Sequence, residues 1–133
     1  MMPLVCIGAI NADYIYRVPH LPLPGETLAA RDMTRMLGGK GANQSIAAAR
    51  AGGRVAQVGA VGTDGGWMLD VLTANGISVA GVAQLDGPSG HAIIAVDDAA
   101  ENNIMLYPGS NHRLNKAQIS AALADEAGFA LMQ

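Results

Sequence analysis

Two glycine pairs, Gly38-Gly39 and Gly52-Gly53, bracket a segment that has few alternatives to a helix. Asn43 opens an alanine-rich run, Ile46-Ala47-Ala48-Ala49-Arg50-Ala51, and Gly52 stops it. Start signal, strong helix formers and stop signal fall in the right order. Alanine carries so little side chain that such a helix can lie close against a sheet. The flanking segments supply that sheet. Residues 3–10 are almost wholly apolar and include Gly8, as expected of a strand buried on both faces in a parallel sheet. Val55–Val61 reads as another strand.

The rest of the chain continues the alternation. Residues 14–18 form a short strand, and Pro19, Pro22 and Pro24 punctuate an irregular turn after it. Residues 28–37 read as a half-exposed strand. Asp64 is placed to cap a helix that runs to Asn75-Gly76, with Trp67, Leu69, Val71 and Leu72 on its apolar positions. Residues 77–85 form a further strand. Residues 91–96 and 103–107 form two more, joined by a hairpin at Asp97-Asp98-Ala99-Ala100. Asn115, with Gln118 three positions on, resembles a capping box. It opens a helix whose buried face is Ile119, Ala122 and Leu123 and which ends near Gly128. Phe129–Met132 reads as a last buried strand.

This order predicts an α/β fold: a central, mostly parallel sheet with helices, plus a small β-sheet accessory built from strands 14–18, 28–37, 91–96 and 103–107. Natural domain boundaries fall in polar linkers. A chain that stops on an apolar strand is therefore expected to be the N-terminal portion of a larger domain, with residues 1–133 all belonging to it. A strand at the sheet edge is the alternative.

Charge and composition narrow the function. The net charge is −3, and no run of lysine or arginine occurs. With one Trp, one Phe and three Tyr, stacking platforms are scarce too. Nucleic acid is an unsuitable partner on both counts. No apolar run reaches the ~18 residues of a membrane span, and no signal peptide is evident, so a cytoplasmic protein is expected. Cys6, the single cysteine, lies in an apolar run and reads as a buried hydrophobe. His20, His91 and His112 lack metal-ligand spacing. Asp97, Asp98 and Glu101 read as a solvated hairpin, and Asp64, Asp70 and Gly65-Gly66 as helix capping and surface.

Two clusters carry chemistry. Asn11 and Asp13 follow the first strand, at the end where open α/β sheets bind ligands. A carboxylate can accept from two neighbouring hydroxyls, and an amide can donate and accept, which suits a sugar diol. Taken alone, a turn held by its own side chains is the simpler account of them. The second cluster is Gly39-Lys40-Gly41-Ala42-Asn43. Its glycines admit close backbone approach, and the helix that follows adds the positive end of its dipole. A Walker A loop is excluded, because Lys40 is followed by Gly41 and not by Ser or Thr.

Taken together, Gly38-Gly39-Lys40-Gly41-Ala42-Asn43-Gln44 and Asn11-Ala12-Asp13 resemble the N-terminal signature of the ribokinase (PfkB-type) sugar kinase family. Pro24-Gly25-Glu26-Thr27 and Pro108-Gly109-Ser110-Asn111 resemble further family stretches, and the likeness runs through all 133 residues. It implies a β-sheet lid over the sugar, a homodimer formed through that lid, and ATP with Mg²⁺ as cosubstrates. The sugar contacts it implies are Asn11, Asp13, Gly39, Lys40, Gly41 and Asn43. The form with Lys40 and Asn43 resembles ribokinase more than fructokinase or adenosine kinase.

One departure limits that implication. The family's Gly-Ala-Gly-Asp segment, whose Asp is the base for the sugar hydroxyl, is absent. So are the nucleotide site and a sugar-contacting Glu that would follow Gln133. No catalytic residue is expected in these 133 residues, and the chain alone is expected to be inactive. A non-catalytic sugar-binding or dimerisation module, and a family kinase for another sugar or a nucleoside, remain as alternatives.

Overall fold

The computed structural model describes residues 3–124 and 128–133. Two four-stranded sheets divide the chain between them. The first is parallel. It is built from β1 (Leu4–Ile7), β4 (Val55–Val61), β5 (Ser78–Gln84) and β8 (Phe129–Met132), in the order β5-β4-β1-β8. The second contains β2 (Asn11–Arg17), β3 (Asp32–Gly38), β6 (Gly90–Val96) and β7 (Asn102–Tyr107), in the order β3-β2-β6-β7. Only its central pair, β2 and β6, is parallel.

Three α-helices, α1 (Lys40–Arg50), α2 (Gly66–Ala74) and α3 (Lys116–Ala124), and a 3-10 turn at Gly109–Arg113 accompany the sheets among the described residues. The main core contains Cys6, Val55, Ala42, Met68, Leu72 and Ile77, where α1 and α2 meet the parallel sheet. Met68 and Leu72 are fully buried, and each such side chain stabilises the fold by about 1.5–3 kcal/mol. On the opposite face Val5, Ile7 and Val58 pack against Leu114, Ile119 and Ala122. Within the main core one polar bridge is buried. Ser45 Oγ donates to Gln57 Oε1 (2.5 Å), and Gln57 Nε2 donates to the carbonyls of Gly8 and Val58 (3.2 and 3.0 Å).

The α/β architecture expected from the sequence is the one observed, and Cys6 is buried and free as expected. Several element boundaries differ, for identifiable reasons. Strand β2 begins at Asn11 and not at residue 14, because Asn11 already pairs with Gly38 on one side and Gly90 on the other. Strand β3 begins at Asp32 and not at 28; its one neighbour, β2, ends at Arg17, which pairs with Asp32. Asp64 does not cap α2. Gly65 holds the cap position without a side-chain bond, while Asp64 Oδ1 accepts from the N–H and hydroxyl of Ser89 (2.9 and 2.6 Å). Burial pushes the Asp64 carboxyl up, but its hydrogen bonds, led by those from Ser89, together with the nearby His91 outweigh it and hold it below its usual range.

Asn115 Oδ1 accepts from Gln118 N–H (3.0 Å), as a cap should. The Gln118 side chain does not return the bond; it donates to the carbonyls of Gly59 and Gly81 (2.6 and 2.8 Å). Of the face expected to be buried on α3, Ile119 and Ala122 pack against the sheet, whereas Leu123 is exposed. The expected helix end near Gly128 lies outside the described residues, which omit 125–127. Strand β8 is not buried. It is an edge strand paired only with β1, and Phe129 and Met132 are 67% and 68% exposed.

Candidate functional site

The cleft opens where the carboxyl ends of the parallel strands meet one face of the second sheet. Gly8, Ala9, Gly59, Ala60 and Gln133 form its floor, and Asn11, Leu106, Pro108 and Asn111 stand beside it, around about 340 Å³. Register explains which side chains share that face. Asp13 pairs with Met36 and Ala92, and Ala92 pairs with Leu106. Asn11 lies two residues before Asp13 and so projects from the same side of β2.

Gly39 and Gly41 do not line that cleft themselves; they contact the Gly8–Asn11 segment that does. Gly39 turns the chain at φ 90° from β3 into α1. A β-carbon there would lie 2.5 Å from Ala9 O and 2.9 Å from Asn11 N, and one on Gly41 would lie 2.5 Å from Gly8 C. Only residues without a β-carbon let the loop settle onto the Gly8–Asn11 backbone. That contact also moves the helix start. Ala42 N–H donates to Ala9 O (3.1 Å) and Asn43 N–H to Gly39 O (2.9 Å). The helix therefore begins at Lys40, and Asn43, read from the sequence as the opening residue, lies one turn inside it. The first N–H groups of a helix have no partner within it. Those of Lys40 and Gly41 have no backbone partner among the described residues and lie at the positive end of the dipole.

Asp13 stands over this turn. Its carboxylate covers Gly38, where a β-carbon would fall 2.0 Å from Oδ2. Burial raises the carboxyl above its ordinary value of 3.8. Of the six residues singled out in the sequence, the fold gathers Asn11, Asp13, Gly39 and Gly41 through backbone contact and shared register. Lys40 and Asn43 are exposed on the first turn of α1, and among the described residues their side chains have no hydrogen-bond partner.

Asn111, in the Pro108–Asn111 stretch, lies outside those six. It lies in a 3-10 turn, Gly109–Arg113, which is anchored by Ser110 Oγ donating to Ala60 O (3.0 Å). From there Asn111 Nδ2 donates to Asn11 Oδ1 (2.7 Å), and Asn111 Oδ1 accepts from Ile10 N–H (3.0 Å). Gln133 also reaches the cleft, its Oε1 3.4 Å from Ala9 N. Both residues are about a hundred positions or more from their partners, so no local spacing could have found them.

The three histidines are dispersed. His20 pairs with Glu26 (2.8 Å), and Glu26 also accepts from Leu23 N–H. His91 packs between Tyr14 and Tyr107, and His112 lines the cleft. Among the described residues no group of three or more His, Cys, Asp or Glu is placed to hold a metal ion, and no helix is long and apolar enough to cross a membrane.

The family model "pfkB family carbohydrate kinase" matches residues 1–132. A ribokinase from Haemophilus influenzae is 36% identical over 135 aligned residues, which take in 98% of this chain and 44% of that protein. Among solved structures, ribokinase from Arabidopsis thaliana complexed with ribose and ATP superposes with a TM-score of 0.85 at 30% identity, over 99% of this chain and 45% of that one. Ribokinase from Cryptococcus neoformans in complex with ADP gives 0.84 at 34%, over 100% and 41%. The chain thus spans less than half the length of these relatives.

Proposed function

The chain belongs to the pfkB family of carbohydrate kinases, and on that footing we propose that it is the sugar-binding portion of a cytoplasmic, ATP-dependent kinase for ribose or a closely related sugar. One observation carries the reading. A carboxylate and an amide, Asp13 and Asn11, share one strand face and stand beside a glycine turn pressed against the backbone of Ala9 and Asn11. That combination suits a polyol, which offers donors and acceptors a few ångströms apart. Asp13 accepts from two hydroxyls, Asn11 and Asn43 add amide contacts, and Lys40 with the N–H groups at the start of α1 completes the grip. The second sheet acts as the lid.

In this reading the nucleotide site lies outside these residues. The sequence holds no Gly-Ala-Gly-Asp segment, and no metal-binding cluster is gathered among the described residues. Phosphoryl transfer needs phosphates, metal and base positioned together, and base assistance alone commonly contributes ~10²–10⁴ in rate. ATP, Mg²⁺ and the base are assigned to the part of such kinases that this chain does not match.

The lid also serves as a dimer surface in this reading. Ile104 and Leu106 are 56% and 61% exposed on the face that carries Asp13, and Met36, on the opposite edge strand of the same face, is 52% exposed. Apolar faces of this kind seek a partner.

Calorimetric titration with D-ribose tests the proposal. Heat of binding that disappears in Asp13→Ala is the expected result, together with no ribose-dependent ADP formation by the 133-residue chain. Ribose binding untouched by Asp13→Ala, or no binding at all, would overturn the assigned pocket. Turnover by this chain would overturn the division of labour.

A further inference from the structure

We propose that Asn111 fixes the direction in which the Asn11 amide faces the cleft, so that Asn11 meets the sugar as a hydrogen-bond donor and not as an acceptor. The inference rests on the sugar-binding reading above and adds a positioning residue to it. A carboxamide has a donor end and an acceptor end of nearly equal size, so its partners must decide which is which. Here the decision starts at a group that can only donate, the backbone N–H of Ile10. It donates to Asn111 Oδ1 at 3.0 Å. Asn111 must then direct its Nδ2 to its other neighbour, Asn11, 2.7 Å away. The atom of Asn11 that accepts is Oδ1. Its Nδ2 is left for the cleft that Asn11 lines, and among the described residues it meets no protein acceptor.

Two features keep this order from relaxing. Asn11 is only 8% exposed, so water cannot readily replace Asn111 as the donor to its Oδ1. The pair also sits over Gly90, where a β-carbon would lie 2.0 Å from Asn111 Nδ2 and 2.6 Å from Asn11 Oδ1. The floor is cut to fit two amides in contact. The consequence is a fixed polarity along one strand face: Asn11 donates and Asp13, two residues on, accepts. A ligand must present an oxygen acceptor to the first and a hydroxyl donor to the second. Adjacent oxygens of a sugar meet both demands, whereas a ligand with two donors in those places does not.

Asn111→Asp tests this directly. Aspartate keeps the size of the residue and the acceptor for Ile10 N–H, but has no donor for Asn11 Oδ1. Facing a carboxylate, the Asn11 amide turns over and presents Oδ1 to the sugar. D-ribose affinity, read by NMR titration of the ¹⁵N-labelled chain, should fall by about tenfold, the order expected for one hydrogen bond. The side-chain NH₂ signals of Asn11 should move as well, with the backbone spectrum otherwise retained. Unchanged affinity and unchanged Asn11 signals in a folded Asn111→Asp chain would overturn the role of Asn111, while binding that still depends on Asp13 would leave the pocket standing. Failure of the unsubstituted chain to bind ribose would remove the pocket, and this role with it. Should Asn111→Asp not fold, hydrogen exchange in the unsubstituted chain decides. Protection of one Asn111 side-chain N–H, with both Asn11 side-chain N–H protons unprotected until ribose is added, supports the assignment; the opposite pattern overturns it.

Discussion

The carboxylate of Asp13 lies directly over the α-carbon of Gly38, so close that a β-carbon on Gly38 would fall within 2.0 Å of Oδ2 and 2.6 Å of Oδ1. Gly38 has no positive φ, so its glycine is explained by this neighbour and not by backbone strain. Gly38→Ala is therefore expected to displace the Asp13 carboxylate and leave the strand pairing intact. Ribose affinity should drop by an order of magnitude or more in calorimetry, while the melting temperature changes little. A large loss of stability with ribose affinity retained would show that the backbone had moved instead.

Gly41 presents the contrasting case, because its neighbour is main chain. An added β-carbon would stand 2.5 Å from Gly8 C and 2.7 Å from Gly8 Cα. Alanine is favoured over glycine in a helix by about 1 kcal/mol, but forcing backbone apart costs about 1–3 kcal/mol. The clash outweighs the propensity. Gly41→Ala should lower stability in urea titration, and a more stable variant would contradict the close contact between α1 and β1.

Asp13 sets a dependence on pH. Burial raises its carboxyl above the ordinary 3.8, so the folded chain takes up this proton more readily than the unfolded chain. Its contribution to stability is full below the unfolded value and is lost as pH rises through the folded one. At neutral pH the ionised carboxylate is thus a cost. Asp13→Asn should melt higher near neutrality, with the difference vanishing at about pH 3, where both side chains are neutral. A variant less stable than its parent at neutral pH would reverse the sign.

The exposed apolar face of the second sheet predicts self-association. Replacing both Ile104 and Leu106 by Lys puts two charges on that face. Sedimentation velocity should show the unsubstituted chain as a dimer or larger and the double variant shifted toward monomer. A monomeric parent would argue against the lid as an interface.

Sequence alone determined the alternation of strands and helices, because apolar runs, alanine-rich stretches and glycine stops are local signals. It also located the glycine turn at 38–41 and the Asn11–Asp13 pair, since glycines between periodic segments and polar residues after an apolar strand are visible without coordinates. Tertiary contact decided where elements start: Ala9 O draws Ala42 N–H and moves the start of α1 to Lys40, while Ser89 claims Asp64 and denies α2 its cap. It alone joined Asn111 to Asn11, a hundred residues apart, across the notch left by Gly90. A hydrogen bond between distant residues leaves no periodicity or spacing in the chain, so only folding, which brings β6 and the turn after β7 beside β2, makes that pair exist.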